Sequence, residues 1–387
     1  MKVLHLSHTP LVGAPGRICA ALQQRGVNAR WAALNADGYG GLNFALDWRW
    51  QTDRDEVLAF AQQADLIHLH NYIDLQCADF APLDFAALWR QGKPMVRHFH
   101  STSALVARYM GIDEAAVLAC PIPKLVIAQY PERFFARACV VPNIVDEAAP
   151  PTDRRGQPLR VGYAPSSFRS ARASRWDTKG YPETVKQLSR SMALLRRQGL
   201  KLELDLITQV PHSECLVRKA RCDVFIDELV TGSYHLNTLE SLAQGCASLV
   251  HLDGRLQGVL RGLLGSADFP ALSVPLEGLH AVLAHFAAQP ELARALGARS
   301  RLWMQQHWTP AAMAQHFIDA YEAVMRQPRL EFPARFGDSQ AELFQVRTQY
   351  DLQWSARHAA WPPLPPAWWT ATRQSVGQGL RAMGFRR

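Results

Sequence analysis

Short apolar strands that alternate with amphipathic helices most restrict the fold of this 387-residue chain. The first strand is KVLHLSH at 2–8, and the helical pattern at 14–26 follows it and ends at Gly26. The strands ADLIHLHN at 64–71 and KPMVRHFHS at 93–101 each follow a further helical segment. Near-continuous apolar strands separated by helices are typical of parallel sheets that are covered on both faces. The pattern therefore predicts an α/β, doubly wound, Rossmann-like fold.

The alternation occurs twice, which predicts two Rossmann-like domains facing a cleft. A segment rich in proline and charge at 148–158 is expected to link a domain at 1–147 to a second domain at 159–327. This division agrees with the chain length, which exceeds what one hydrophobic core usually supports. The apolar helical face at 310–327 is expected to cross back to the first domain. Residues 328–387 lack strand signals and are predicted to form a helical or irregular tail.

Composition excludes several classes of protein. No apolar run approaches the roughly 18 residues of a membrane-spanning helix, and the N-terminus is typical of a strand rather than of a secretory signal. The seven cysteines are scattered and contain no C-x-x-C pair. This distribution predicts reduced thiols in a cytoplasmic protein, and neither a disulfide framework nor a zinc site.

The C-terminal tail carries half of the net charge of +8, because residues 351–387 contain five Arg and one Asp. The same segment contains four Trp residues. A basic, Trp-rich segment is suited to peripheral contact with an anionic membrane. The alternative is a tail that packs against the body of the protein with its arginines in solvent. A partnership with nucleic acid is not expected, because no recognition motif accompanies the positive charge.

Ligands of open parallel sheets bind beyond the carboxyl ends of the strands. In the first domain, His8, His70 and His100 follow three different strands, which predicts a shared functional rim. A zinc site is a competing interpretation, but the close spacing and additional ligands that it requires are not evident. Gly13 and Gly16 permit close backbone approach in the first loop, which is either a phosphate loop or an ordinary turn. The loop lacks the glycine pattern of a nicotinamide dinucleotide site.

In the second domain, the loop YAPSSFRSARASRWDTKG at 163–180 follows a strand and is rich in cations. Cations fixed at this position would stabilise the negative charge that develops on a departing nucleoside diphosphate. A solvated basic surface is the alternative interpretation. The cations are Arg169, Arg172, Arg175 and Lys179.

The segment DELVTGSYHLNTLESLAQGCASLV at 227–250 predicts a loop that opens, through Gly232 and Ser233, into a helix. The N-terminus of a helix supplies N–H donors and positive potential to phosphates. Glu240, farther along the helix, is placed to accept a hydrogen bond from a ribose hydroxyl. The alternative for Glu240 is the solvent side of the helix.

These motifs resemble those of retaining GT-B glycosyltransferases, in the large family 4-like group, over roughly residues 1–327. VVPNIVD resembles the segment VPNGVD that closes the first domain in that family, and ADLIHLHN resembles the strand DVIHxHN. YAPS…KG resembles the donor-phosphate loop HAPS…KG. GSYHLNTLESLAQGCASLV resembles G-W-Y-G-x-x-x-x-E-A-M-A-x-G-x-P-V-V.

The resemblance implies a hexosyltransferase that uses a nucleotide-sugar donor and a glycan or glycolipid acceptor, needs no metal or other cofactor, and retains the anomeric configuration. His100 would lie near the transferred sugar, and Lys179 with an arginine would bind the diphosphate. The implied catalytic residues are His100, Arg169 and Lys179. The implied donor-binding residues are Gly13, Gly16, Ser166, Asp227, Gly232, Ser233, Tyr234 and Glu240.

One position departs from the family pattern. The family has two glutamates eight positions apart, and Gly232 occupies the first of these positions here. A subgroup with the same loss carries an upstream aspartate, which Asp227 matches, so Asp227 and Glu228 are candidates for compensation. The departure leaves two alternatives open: a nucleotide-sugar epimerase on the same architecture, and a catalytically degenerate binding protein.

Overall fold

The computed structural model describes residues 1–36, 46–148, 152–165, 176–265 and 269–337. Within these residues the chain forms two separate sheets in which every strand pairing is parallel. The α/β class and the two facing Rossmann-like units predicted from the sequence are confirmed. The exact bounds of the linker at 148–158 stay a prediction.

The first sheet contains seven of the described strands. They are β1 (Lys2–Ser7), β2 (Asn28–Ala33), β3 (Trp48–Arg49), β4 (Leu66–His70), β5 (Met95–Phe99), β6 (Lys124–Ile127) and β7 (Ala138–Val141). Their order is β3-β2-β1-β4-β5-β6-β7. The helices are α1 (Ala14–Gln24), α2 (Arg54–Gln63), α3 (Phe85–Arg90), α4 (Ser103–Met110) and α5 (Glu114–Ala119), with short 3₁₀ turns at Leu11–Gly13 and Tyr130–Phe134.

The second sheet contains five of the described strands. They are β8 (Leu159–Tyr163), β9 (Leu202–Leu206), β10 (Val224–Ile226), β11 (Ala247–Val250) and β12 (Leu272–Ser273), in the order β12-β11-β10-β8-β9. The remaining helices are α6 (Glu183–Arg197), α7 (His212–Lys219), α8 (Leu236–Ala243), α9 (Gly254–Leu264), α10 (Leu279–Ala288), α11 (Pro290–His307) and α12 (Pro310–Arg326), with a 3₁₀ turn at Leu276–Gly278.

Local sequence signals explain where several helices begin and end. Asp84, Thr102 and Asp253 precede α3, α4 and α9, and each side chain accepts a hydrogen bond from a backbone N–H three residues later. Helix α1 ends two residues before Gly26, whose φ of 77° is readily adopted only by glycine. Strands β1, β4 and β5 are almost wholly buried, which accounts for their near-continuous apolar pattern.

The strand order places a switch point in each sheet. In the first sheet, β2 and β3 are added on one side of β1 and the later strands on the other, so that β1 lies between β2 and β4. In the second sheet, β8 lies between β9 and β10 in the same manner. Crevices at such points are the usual ligand sites of open parallel sheets. The described loops that follow these strands line one pocket between the two sheets.

Helix α12 returns to the first domain, as the sequence predicts. It packs against α1, β5 and β7, so the last described helix completes the core around the first sheet. The apolar face predicted for it is buried and consists of Met313, Phe317, Ala320, Tyr321 and Val324. The chain passes between the domains twice, near 143–148 and near 301–308, and hydrogen bonds join these two segments. Trp308 Nε1 donates to Asn143 O at 2.9 Å, and Arg301 Nη2 donates to Ala148 O at 2.7 Å.

A buried ionic junction connects the two domains. Glu132, in the first domain, is fully buried and pairs with Arg255 at the start of α9. It also accepts from Arg335 Nη1 at 2.6 Å, and its neighbour Arg133 pairs with Asp253 at 3.0 Å. A buried carboxylate is stable only when such partners replace its lost hydration. The junction therefore fixes the second domain against the first.

A close backbone approach at Gly297 yields a test of how α11 supports the second domain. A Cβ atom at this position would lie 2.0 Å from the carbonyl oxygen of Gly245, in the turn that joins α8 to β11. Because backbone cannot rotate away as a side chain can, we expect Gly297→Ala to lower the free energy of unfolding by about 1–3 kcal/mol in equilibrium urea denaturation.

Gly258→Ala is the matched control, because Gly258 lies in α9 and a methyl group added there would have no atom within 4 Å. This substitution should stabilise the protein by up to about 1 kcal/mol, since alanine is the better helix former. Equal effects of the two substitutions would contradict the packing described for α11.

Candidate functional site

A pocket of about 550 Å³ lies between the carboxyl ends of the two sheets. Its volume is in the range of typical small-molecule sites, about 300–1,000 Å³. Both domains supply its walls, so a ligand here would contact both at once. From the first domain these residues include Val12, Arg17, His100, Gln129 and Asn143, and from the second Trp176, Lys179, His235, Asn237 and Glu240.

Two half-buried cations line this pocket, one from each domain. Lys179 has a φ of 55°, and its Nζ donates to Ala164 O at 3.1 Å. Burial lowers the pKa of Lys179, while the carboxylates of Asp227 and Glu240 act in the opposite direction. Arg17 lies on α1, where Nη2 donates to Val12 O at 2.7 Å and Nε has no partner. Burial also lowers the pKa of Arg17. An anion in the pocket would relieve the desolvation of both cations.

Glu240 lies on the pocket wall, inside α8, and not on the solvent side of the helix. Its carboxylate pairs with the buried Lys219, and Oε1 lies 2.7 Å from His212 Nε2. Burial alone would raise the pKa of Glu240, but Lys219 and His212 hold it at about 2. A carboxylate oxygen can accept more than one hydrogen bond, so Glu240 can still bind a hydroxyl.

The first residues of α8 face the pocket. His235, which precedes the helix, and Asn237 both line the pocket, and Asn237 Nδ2 donates to Ala164 O at 3.0 Å. Asp227 organises this turn, because its Oδ2 accepts from His235 N at 2.7 Å and from Thr238 Oγ1 at 2.6 Å. Burial opposes ionisation of Asp227, yet His235 and Lys179 hold its pKa well below the usual range. Asp227 thus positions the helix start beneath the pocket surface.

Gly232, Ser233 and Tyr234 lie away from the described lining of the pocket. Helix α8 begins at Leu236, several residues later than the sequence predicts, and residues 232–234 are absent from the described lining of the pocket. Gly232 has a φ of 74°, and a Cβ there would lie 2.9 Å from the side chain of Asp253, in the ionic junction. Ser233 and Tyr234 are fully buried. In this structure the three residues lie in the turn and the core, and a role in phosphate binding stays a prediction.

Only one of the three predicted rim histidines lines the pocket. His100 does so, and its backbone N–H donates to Asn71 Oδ1 at 2.7 Å. His70 lies behind it, with Nδ1 at 2.9 Å from His100 Nε2, and His8 instead pairs with Asp79 at 3.2 Å. Burial and the nearby Arg17 lower the pKa of His100 to about 3, so the ring is neutral at pH 7. The prediction of one rim shared by all three was wrong, because His8 turns toward Asp79.

The first loop contributes backbone shape rather than glycine contacts. Gly13 is buried, has a φ of 77° and directly precedes α1, whereas Gly16 lies inside that helix. Their neighbours Leu11, Val12 and Ala14 line the pocket. A tight turn at Gly13 therefore leads into α1, and a phosphate-binding role for the two glycines stays a prediction.

A stack of three rings closes one side of the pocket. Trp176 lies between Tyr130 of the first domain and His235 of the second, with centroid distances of 5.5 and 4.8 Å. His235 Nε2 also lies 2.8 Å from Trp176 O. Sequence reasoning missed this stack, and it missed Arg17, Lys219 and His212. The signal available for Arg17 was a cation one turn inside the helix that follows the first loop.

Four of the predicted residues lie outside the described residues. They are Ser166, Arg169, Arg172 and Arg175. The basic tail at 351–387 lies outside them as well. In the part of the chain that the structure describes, no helix is sufficiently long and apolar to span a membrane.

Known glycosyltransferases share this architecture. No family model and no curated protein sequence matches the chain. Among solved structures, an alpha-glucosyltransferase in complex with UDP and a 13-mer DNA is 11% identical, with 83% of this chain and 99% of that chain covered and a TM-score of 0.54. HepE from Anabaena, in complex with UDP-glucose, is 12% identical, with 84% and 100% covered and a TM-score of 0.51. Two parallel sheets facing one cleft are the GT-B fold of these glycosyltransferases, and this chain has that fold.

The lowered pKa of Glu240 allows the site to be tested through the dependence of protein stability on pH. Its folded pKa of about 2 is below the ordinary value of 4.5, so folding favours the ionised form. This contribution to stability is complete above pH 4.5 and is lost as the pH falls from 4.5 toward 2. We expect Glu240→Gln to be less stable than the parent by about 2 kcal/mol at pH 7, with a difference that shrinks toward pH 2.

Thermal unfolding between pH 2.5 and 7 measures this difference. Glu322→Gln, at an exposed position on α12, is the control and should follow the parent at every pH. A constant difference between Glu240→Gln and the parent across this range would contradict the ion pairing described for Glu240.

Proposed function

We propose that this protein transfers a sugar from a nucleoside diphosphate sugar to an acceptor. The observation that supports the proposal most is the convergence of Arg17, Lys179 and the start of α8 on one pocket at the switch points of two parallel sheets. Two cations and a helix N-terminus suit a diphosphate, because each supplies positive potential or hydrogen-bond donors. Two proteins of the same fold were solved with UDP or UDP-glucose, which favours this class of donor.

The pocket offers separate groups to the parts of such a donor. Glu240 is suited to accept from a ribose hydroxyl, and its pairing with Lys219 and His212 holds the carboxylate in one orientation. His100 comes from the opposite wall and is proposed to bind a hydroxyl of the transferred sugar as a neutral imidazole. Arg17 and Lys179 would then hold the diphosphate between these two ends.

The proposed chemistry relies on stabilising the leaving group. As the glycosidic bond to the diphosphate breaks, negative charge grows on the β-phosphate, where fixed cations lower the transition-state energy. We propose retention, with the departing phosphate oxygen accepting the acceptor's proton on the same face. Glu240 is the carboxylate among the described lining residues of this pocket, and its ion pair with Lys219 makes it an unsuitable nucleophile. Neutralisation of the diphosphate by protein cations is the reason to propose donor binding without a divalent metal.

The acceptor and the location are proposed from the sequence. A hexose as the transferred sugar is proposed from the resemblance to family 4-like enzymes, and a glycan or glycolipid acceptor from that resemblance and the basic, Trp-rich tail. A cytoplasmic site of action is proposed from the scattered cysteines. Membrane contact through 351–387 follows from the charge and tryptophan content of that segment, and its packing against the body remains the alternative.

Removal of either pocket cation tests the proposal. We expect Lys179→Ala and Arg17→Ala each to lower the rate of UDP-sugar turnover about 10²- to 10³-fold, because each removes a donor that opposes the developing charge. Isothermal titration calorimetry with UDP should show affinity reduced by about tenfold or more. Arg25→Ala, at an exposed position next to the end of α1, and Lys201→Ala, an exposed lysine of the second domain, should retain parental values.

Two outcomes would contradict the proposed function. UDP affinities that are unchanged in both Lys179→Ala and Arg17→Ala would remove the pocket as the donor site. Intact donor binding without measurable hydrolysis or transfer, across a panel of nucleotide sugars and acceptors, would instead favour a degenerate binding protein.

The tail is tested separately with vesicles. Deletion of 351–387 should weaken sedimentation with vesicles that contain anionic lipid, because about four net positive charges are removed. Binding of UDP should not change, since Arg17 and Lys179, which are proposed to bind the diphosphate, lie outside this segment. Unchanged vesicle binding would favour a tail packed on the body of the protein.

A further inference from the structure

Five histidines form a cluster on one face of the first sheet. They are His5, His68, His70, His98 and His100, and we call them the histidine cluster. Side chains two positions apart on a strand share a face, and the strand register pairs His5 with His68 and His70 with His98. All but His100 are completely buried. Such a position in a sheet core is normally occupied by apolar residues.

The ring nitrogens of three of these histidines divide into an outer and an inner set. On the outer side, Tyr321 of α12 places its hydroxyl oxygen 2.6 Å from His68 Nδ1 and 3.4 Å from His5 Nε2. His70 Nδ1 faces His100 Nε2 at 2.9 Å. On the inner side, His5 Nδ1 and His70 Nε2 are 3.2 Å apart, and His68 Nε2 has no partner. An unpartnered nitrogen in a dry core is unfavourable unless something binds it.

We propose that His5, His68 and His70 bind a divalent transition-metal ion. One nitrogen from each residue lies within 4.8 Å of the other two. The 3.2 Å between His5 Nδ1 and His70 Nε2 matches the separation of roughly 3.3 Å between two ligands in a tetrahedron with Zn–N distances of about 2.0–2.1 Å. The sequence did not reveal this spacing, because the three residues come from two strands that are far apart along the chain.

The outer contacts are those that metal-binding histidines need. A histidine that binds a metal through one nitrogen usually donates its other N–H to a fixed partner, which orients the ring. The Tyr321 hydroxyl and the His100 ring supply such partners to the three histidines.

The ligand type restricts the metal. Three imidazoles suit Zn²⁺, Co²⁺, Ni²⁺ or Cu²⁺, whereas Mg²⁺ and Ca²⁺ prefer carboxylate and carbonyl oxygens. The metal-binding groups of described residues at this place contain histidine alone. The proposed ion is therefore distinct from a metal that would bridge the phosphates of a donor, and it does not conflict with metal-independent donor binding.

A neighbouring set of histidines competes for the same ion. His70, His98 and His100 also place one nitrogen each within 4.8 Å of the others. Neither nitrogen of His98 has a partner in the described structure, so nothing would orient that ring as a ligand. We therefore place the ion at His5, His68 and His70, where it would join β1 and β4 and, through Tyr321, α12.

Metal analysis of tag-free, full-length protein tests the proposal. We expect about one zinc-type ion per chain by mass spectrometry of the purified protein, or after incubation with Zn²⁺ and gel filtration. Replacement by Co²⁺ should produce the visible absorption of a low-coordinate nitrogen site. Both readouts use the unsubstituted protein and do not depend on the folding of any variant. Protein that retains no ion and shows no Co²⁺ absorption at micromolar Co²⁺ would overturn the proposal.

Variants then locate the ion. His68→Gln should abolish stoichiometric binding, and Tyr321→Phe, which leaves all three ligands in place, should weaken Zn²⁺ affinity about 10- to 100-fold. His285→Gln, at an exposed position on α10, is the control and should retain the ion. Circular dichroism and thermal unfolding report whether each variant is folded. Loss of the ion in His98→Gln but not in folded His68→Gln would overturn the assigned position.

Discussion

The ionic junction around Glu132 is the interaction on which the cleft depends. Groups at the carboxyl ends of both sheets line the described pocket, and Glu132 helps to hold the domains together by pairing with Arg255 of the second domain. Arg335 pairs with the same carboxylate of Glu132 from the first-domain side. Arg133 and Asp253 extend the same junction. Because removing one partner of a buried ion pair leaves an uncompensated charge, such a junction specifies geometry even where its net contribution to stability is small. The position of the second domain is thus set by charge pairing as well as by apolar contact.

Charge inside the pocket is arranged so that an anionic ligand is favoured. Glu240 and Asp227 act on Lys179, but Lys219 and His212 engage the first, and the turn before α8 engages the second. Asp146 and Glu240 act on Arg17. Arg17 and Lys179 are held mainly by backbone carbonyls, which are dipoles rather than opposite charges. Neither cation is described in an ion pair with a carboxylate, which leaves both available to the anionic ligand proposed above.

The strands and the long helices could be predicted from the sequence because burial on both faces leaves a clear apolar pattern, as in β1, β4 and α12. Lys179, Glu240 and His100 could be predicted because they follow strands or lie in a motif. Arg17 and Trp176 reach the pocket only through the docking of one domain on the other, which local spacing does not encode. The start of α8 was placed too early, because the glycine at 232 serves close packing on Asp253 rather than entry into the helix.

The hydrogen bonds that join the two interdomain passages have a mechanical consequence. Trp308 donates a hydrogen bond to Asn143, and Arg301 donates one to Ala148, so the two interdomain segments are joined at one place. Two coupled tethers resist sliding and twisting at that place, and a swing of one domain about them would have to break the ionic junction at Glu132. The ring stack of Tyr130, Trp176 and His235 also bridges the domains and would have to separate during such a swing. Entry of a ligand would then change the environment of the Trp176 indole ring.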